Sequence, residues 1–209
     1  MALIDISPLV DATINVWPGD TPYSQTFNLE MSAGANLTLS EIRTSVHVGA
    51  HADAPSHYLA AGADIASRSL EYYLGRCNVF HIADSRGRRI MPSDVMQRNV
   101  TAKRVLFRTD SFPDPRRWNE DFASLSPELV EWLYARGVIT VGIDTPSVDP
   151  FDSKALEAHQ ALARCDMANL EGLVLTDVAP DREYELIALP LRLRHADASP
   201  VRAVLRTLD

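Results

Sequence analysis

Three of the chain's six histidines fall within the eleven residues 47–57, and a carboxylate, Asp53, stands among them. Neutral imidazoles and a carboxylate are the ligands that a borderline cation such as Zn²⁺ takes, and catalytic zinc sites commonly use three protein groups and leave a position open for water. His47, His51 and Asp53 are the first candidates, with His57 close by. The run contains no cysteine, which argues against a closed structural zinc site. A histidine-rich surface loop, or core histidines satisfied by backbone partners, is the plainer reading of any one of these residues. For the group, the metal reading is preferred.

The spacing constrains the backbone. In an extended strand His47 and His51 would lie ~13 Å apart at roughly 3.3 Å per residue, too far to share one ion. The chain must bend between them. Gly49 can take the positive φ that a tight bend requires, and Ala50, Ala52 and Ala54 leave room for the rings. A helix would turn Asp53 and His57 away from that face, and Pro55 disfavours helix at Ala54. The run therefore reads as a strand end entering a turn-rich loop. Residues 37–46, rich in β-formers, are expected to be the strand that delivers His47 at its end.

Further elements must position this run. Residues 3–7, 78–83, 104–109 and 138–143 read as strands, the last ending at Asp144, which is expected to cap a turn. His81, inside the second of these, reads as a satisfied core histidine. Residues 69–75 resemble a short serine-capped helix. Residues 126–137 give the clearest helix: Ser126 as N-cap, Pro127 at the first helical position, Glu128 early, Arg136 late and Gly137 at the end. Residues 155–163 read as a helix bearing His159, and 169–173 as a loop or short turn bearing Glu171. Taken alone, His159 and Glu171 are a surface histidine and an exposed acid, and Trp17 is as readily core as functional. Residues 184–193 and 200–206 are β-rich endings. Strands outnumber helices and lack regular βα alternation, so the expected fold is a mixed α/β, α+β-like domain with a largely antiparallel sheet, a single domain over residues 1–209.

The motif His47-x-Gly49-Ala50-His51-x-Asp53-Ala54-Pro55-x-His57 resembles the signature of the cyclase-like metal-dependent hydrolases, most closely their bacterial kynurenine formamidase (arylformamidase) branch. Relatives often carry threonine where this chain has Ala50, which favours that branch. The resemblance continues in patches from Trp17-Pro18-Gly19, through residues 142–150, to Ser199-Pro200-Val201-Arg202. It implies a β-barrel-like core of the swivelling β/α/β type with peripheral helices, usually dimeric. It also implies two divalent cations, Zn²⁺ with Mn²⁺ as the alternative, held by His47, His51, Asp53, His159 and Glu171, with Asp53 and Glu171 bridging. Trp17 would line the substrate pocket. The implied reaction is hydrolysis of N-formyl-L-kynurenine to L-kynurenine and formate in tryptophan degradation. Expelling an anilide needs a proton donor, and His57, beside the ligands but free of the metal, is suited to take the water proton and return it. A related amide hydrolase acting on an isatin-like substrate would keep the motif and change the pocket. A non-catalytic metal-binding module would need neither His57 nor Trp17.

Composition limits the partners. At 209 residues and 46% hydrophobic content the chain can bury one core. Its net charge of −8 argues against nucleic acid or an anionic membrane surface and for a small molecule. No apolar run reaches the eighteen or so residues of a membrane span, and residues 1–5 lack a basic leader, so a cytoplasmic protein is expected. Cys77 and Cys165, far apart and without a Cys-x-x-Cys context, are expected as reduced thiols.

Overall fold

The structure, a computed structural model, describes residues 1–208. Its strands are β1 (Leu3–Asp5), β2 (Ser24–Leu29), β3 (Leu39–Arg43), β4 (His51–Asp53), β5 (Leu74–His81), β6 (Arg89–Ile90), β7 (Arg104–Arg108), β8 (Ser124–Leu125), β9 (Thr140–Ile143), β10 (Ala168–Glu171), β11 (Arg182–Ile187), β12 (Ala198–Pro200) and β13 (Val204–Thr207). The helices are α1 (Pro92–Val95), α2 (Pro127–Tyr134) and α3 (Glu157–Arg164), with short 3₁₀ turns between other elements. Nine strands form one sheet in the order β1-β13-β11-β5-β7-β9-β10-β4-β12. The pairings β5 to β7, β7 to β9 and β9 to β10 are parallel, and those on either side are antiparallel. The barrel-like core implied by the resemblance is present as a curled, mostly antiparallel half-barrel, with few helices.

Strand alternation divides the interior in two. Val105, Phe107, Val141 and Ile143 point to the helix side, where Leu129, Val130 and Leu133 of α2 and Ala158, Ala161 and Leu162 of α3 cover them. Cys77, Val79, Leu106, Leu170, Leu186 and Leu205 point into the curl, with Ala50, Ala52 and Ala54 beside them. Gly142 lies opposite Leu106 there, where a Cβ would sit 2.5 Å from Leu106 Cδ2 and 3.0 Å from Leu173 Cδ1. Each fully buried aliphatic or aromatic side chain contributes about 1.5–3 kcal/mol relative to exposure. The two cores thus clamp the central parallel strands, from whose ends the functional loops leave.

The α2 helix starts as its sequence predicts: the Ser126 hydroxyl accepts from Leu129 N–H at 3.0 Å, and Pro127 occupies the first turn. Trp132 packs partly against the helix-side core, with the Arg136 guanidinium 3.5 Å from its ring centroid. Residues 70–72 form a 3₁₀ turn under the Ser69 cap. His81 is half-buried, with Nε2 3.0 Å from Asp110. β2 and β3 form a separate antiparallel hairpin whose residues are all exposed. No helix among the described residues is long and apolar enough to cross a membrane.

Candidate metal centre

The centre is built on the β4–β10 pair, where His51 lies opposite Glu171. Alternation puts His51 and Asp53 on one face of β4, and Asn169 and Glu171 on one face of β10, while Ala52 and Leu170 between them face the core. Glu171 therefore ends a strand rather than lying in a loop, because parallel pairing to β9 and antiparallel pairing to β4 draw residues 168–171 into the sheet. The strand expected to deliver His47 ends early, at Arg43. Beyond it, Ser45 is tied to the residues just before β2, its N–H donating to the Thr21 carbonyl and its hydroxyl to the Asp20 carboxylate. His47 comes instead from the turn that follows, and Gly49, at φ 61°, makes the bend between His47 and His51.

The five candidate ligands converge. His47 Nδ1 is 3.0 Å and His51 Nε2 3.5 Å from Asp53 Oδ1. His51 Nε2 is also 3.3 Å from Glu171 Oε2, and His159 Nε2 is 3.3 Å from Asp53 Oδ2 and 3.4 Å from Glu171 Oε1. Ligand atoms of His51, Asp53 and Glu171 lie within 4.8 Å of one another, as do those of His47, Asp53 and His57, so Asp53 belongs to both groups. His51, Asp53, His159 and Glu171 are buried, whereas the His57 side chain is 34% exposed.

Whether a cation suits this cluster can be tested on one atom. Asp53 Oδ1 is fully buried and lacks a well-aligned hydrogen bond, having only the His47 and His51 ring nitrogens beside it at 3.0 and 3.5 Å, a costly state that a cation would relieve. Burial would raise the Asp53 carboxyl, but the adjacent His159 and His47 imidazoles outweigh it and hold it well below the usual range. Burial and the Asp53 charge push Glu171 up, while His159 and His51 more than offset them. Burial pulls His47 down, but Asp53 and Asp197 raise it to about 9. Ionised carboxylates, with His47 and His159 holding protons in place of metal and no sulfur among the donors, form a donor set suited to a hard or borderline divalent cation.

Residues outside the sequence reading orient these ligands. Each histidine has one ring nitrogen turned inward and an acceptor on the other. His51 Nδ1 meets the Gly49 carbonyl at 2.9 Å, His159 Nδ1 meets Asp149 Oδ2 at 2.9 Å, and His47 Nε2 meets Asp197 Oδ2 at 3.0 Å. Asp149 also accepts from Ala158 N–H at 3.0 Å and His159 N–H at 3.1 Å, supplying the cap that Leu156, at φ 49°, cannot. Asn169 donates to Asp53 Oδ2 at 2.7 Å and Glu171 Oε1 at 3.1 Å. Asn169 could have been found from its place two residues before Glu171, and Asp149 lay in the Asp-Thr-Pro-Ser-Val-Asp-Pro run already singled out. Nothing local distinguishes Asp197.

The ligands open onto a cavity of about 570 Å³ whose wall includes Trp17, Phe112, Trp118 and Phe151. Trp17 is half-buried there, with ring centroids 5.2 Å from Phe151 and 5.4 Å from Trp118. The space suits a planar aromatic ligand. Asp144 lies buried beside it and caps the Thr109–Asp110 turn, accepting both backbone N–H groups. Burial raises its carboxyl despite those bonds.

Comparison with known proteins yields the same grouping. Residues 4–150 match the Cyclase family model. The chain is 47% identical over 207 residues to the kynurenine formamidase of Bordetella petrii, covering 99% of this chain and 98% of that protein. A solved structure described as a potential metal-dependent hydrolase with cyclase activity superposes with a TM-score of 0.84 at 24% identity, covering 98% of this chain and 96% of that one. Isatin hydrolase A from Labrenzia aggregata, bound to benzyl benzoate, superposes with a TM-score of 0.81 at 19% identity, covering 98% and 93% of the two chains. These two structural likenesses establish the fold.

Proposed function

The chain belongs to the Cyclase family, and from that premise we propose that it is a metal-dependent arylformamidase hydrolysing N-formyl-L-kynurenine to L-kynurenine and formate. The observation that carries the reading is the junction of the five-ligand cluster with an aromatic cavity and a half-exposed His57. The near full-length likeness to a kynurenine formamidase supports the substrate. In this reading His47, His51, Asp53, His159 and Glu171 would hold two divalent cations, Zn²⁺ with Mn²⁺ as the alternative, and Asp53, which belongs to both ligand groups, and Glu171 would be shared between them. When bound, such a cation would supply water of lowered pKa, about 7, and a Lewis acid for the formyl oxygen.

The chain's own groups perform the rest. Trp17, with Phe151 and Trp118, receives the aryl ring and sets the formyl carbon before the ligands. His57 accepts the water proton as the hydroxyl oxygen bonds to the formyl carbon. It then returns that proton to the aniline nitrogen as the C–N bond breaks, so the amine leaves neutral and formate carries the oxygen. Asn169, Asp149 and the Gly49 carbonyl keep the ligand side chains aimed throughout.

We also read the protein as one hydrolase domain over residues 1–209, acting as a cytoplasmic homodimer. The exposed β2–β3 hairpin, with Phe27, Leu39 and Ile42 at 50–63% exposure, supports the dimer, and the free thiols Cys77 and Cys165 suit a reducing compartment. The function is tested by assaying metal-loaded protein on N-formylkynurenine and on isatin. Turnover of the formamide at least tenfold above that of isatin is expected; preference for isatin would assign the site to cyclic amides. Sedimentation of the same sample reads the dimer.

A further inference from the structure

Asp197 stands at the rim of the centre, 140 residues from His57 and 150 from His47, yet one of its oxygens meets both. Oδ2 lies 3.2 Å from His57 Nδ1 and 3.0 Å from His47 Nε2, with the two ring centroids 4.3 Å apart. The placement is built into the sheet. β12 pairs with β4 so that Ala198 lies opposite Asp53, and the Asp197 carbonyl accepts from Ala54 N–H at 2.8 Å. The preceding residues are held too: the Ala196 carbonyl accepts from Ile65 N–H at 3.0 Å, and His195 N–H donates to Asp64 at 2.7 Å.

A carboxylate only accepts, so each ring nitrogen facing it must carry hydrogen. His57 is thereby held as the Nδ1–H tautomer with a free lone pair on Nε2, the form a proton acceptor needs. Both His47 nitrogens face carboxylates, Nε2 Asp197 and Nδ1 Asp53, so in the metal-free fold both carry hydrogen. Once a cation takes the place of the Nδ1 proton, the bond to Asp197 keeps the remaining hydrogen on Nε2, the tautomer a ligand needs. We propose that Asp197 is a positioning residue that sets the tautomers of His57 and His47 together, coupling the proton shuttle to the metal centre through one oxygen. The catalytic half of this inference rests on the role given to His57 above; the tautomer half does not.

The test uses zinc-loaded full-length protein and the variants Asp197→Asn and Asp197→Ala. Metal content, kcat and KM on N-formylkynurenine, and ¹⁵N imidazole shifts of His57 are measured. Wild type should show His57 protonated at Nδ1. Asp197→Ala should shift His57 toward the other tautomer and lower kcat by roughly 10–100-fold, the usual cost of losing such an outer partner, with KM little changed. Asp197→Asn, which keeps the shape and an accepting oxygen, should retain the tautomer and most of the metal while losing part of kcat; it also serves if the alanine variant does not fold. An unchanged His57 tautomer in Asp197→Ala would overturn the proposal, whatever the rate. A rate loss wholly restored by resaturating with zinc would do so too, reducing Asp197 to a support for His47. If wild type ignores N-formylkynurenine while the His57 tautomer still follows Asp197, the substrate reading fails and the positioning stands.

Discussion

His51 and His57 are six positions apart in sequence but differ in burial and in partners. His51 is buried against Asp53 and Glu171, whereas His57 stands a third exposed beside the cavity. His57→Ala should therefore leave metal content near wild type and lower kcat by the ~10²–10⁴-fold of a lost general acid–base group. His51→Ala should lose metal and activity together. Metal analysis beside kinetics separates the two, and an emptied site in His57→Ala would make that residue a ligand. Trp17→Ala should raise KM more than it lowers metal content, and unchanged kinetic constants would remove Trp17 from the substrate site. His47 yields a pH prediction. Its pKa in the metal-free fold is raised from the ordinary 6.5 to about 9, so its stabilising contribution is full below 6.5 and lost as pH rises through about 9. The unfolding free energy of chelated protein, read by urea titration, should fall across that window, by at most about 1.4 kcal/mol per pH unit. Metal-loaded protein should lack the His47 contribution to this fall, because the cation takes the place of the proton.

At the scale of elements, the centre depends on how closely the 44–50 turn approaches the end of β10. Gly172, immediately after Glu171, has φ 64°, and a Cβ there would collide with the Gly49 carbonyl. Both the backbone conformation and the close approach exclude a side chain. Gly172→Ala must move either the turn carrying His47 or the strand carrying Glu171. The expected result is a loss of at least ~1 kcal/mol of stability together with weakened metal binding, read by chemical denaturation and by zinc titration. A variant destabilised with its metal affinity intact would show that the turn shifts without disturbing the ligands. The α3 helix offers a parallel case. Asp149 holds both its first turn and the His159 ring, so helix start and ligand aim are one arrangement.

Across the whole molecule, the proposed ligands come from the 44–50 turn, β4, α3 and β10, segments that would separate on unfolding. A cation that binds only the folded arrangement stabilises it by about 2.7 kcal/mol at a free concentration a hundred times its dissociation constant. For a domain of this length that corresponds to roughly 5–10 °C in melting temperature. Exhaustive chelation should lower the midpoint by that order and abolish turnover, and reloading should restore both. Full turnover after chelation would remove metal from the chemistry.

The sequence by itself determined what short-range geometry controls. The His47–His57 spacing demanded a bend, and Gly49 makes it at positive φ. Ser126 and Pro127 started α2 because caps act within a single turn. The motif's residue types pointed to a cation because imidazole and carboxylate chemistry does not depend on fold. Only the tertiary structure decided that Glu171 ends a strand opposite His51, and that Asn169, Asp149 and Asp197 hydrogen-bond the candidate ligands Asp53, His159 and His47. These positions follow from strand register across connections of tens of residues, and local periodicity carries no record of that register. A single aspartate near the C-terminus looks like any other solvated acid until the β4–β12 pairing sets it against two imidazoles.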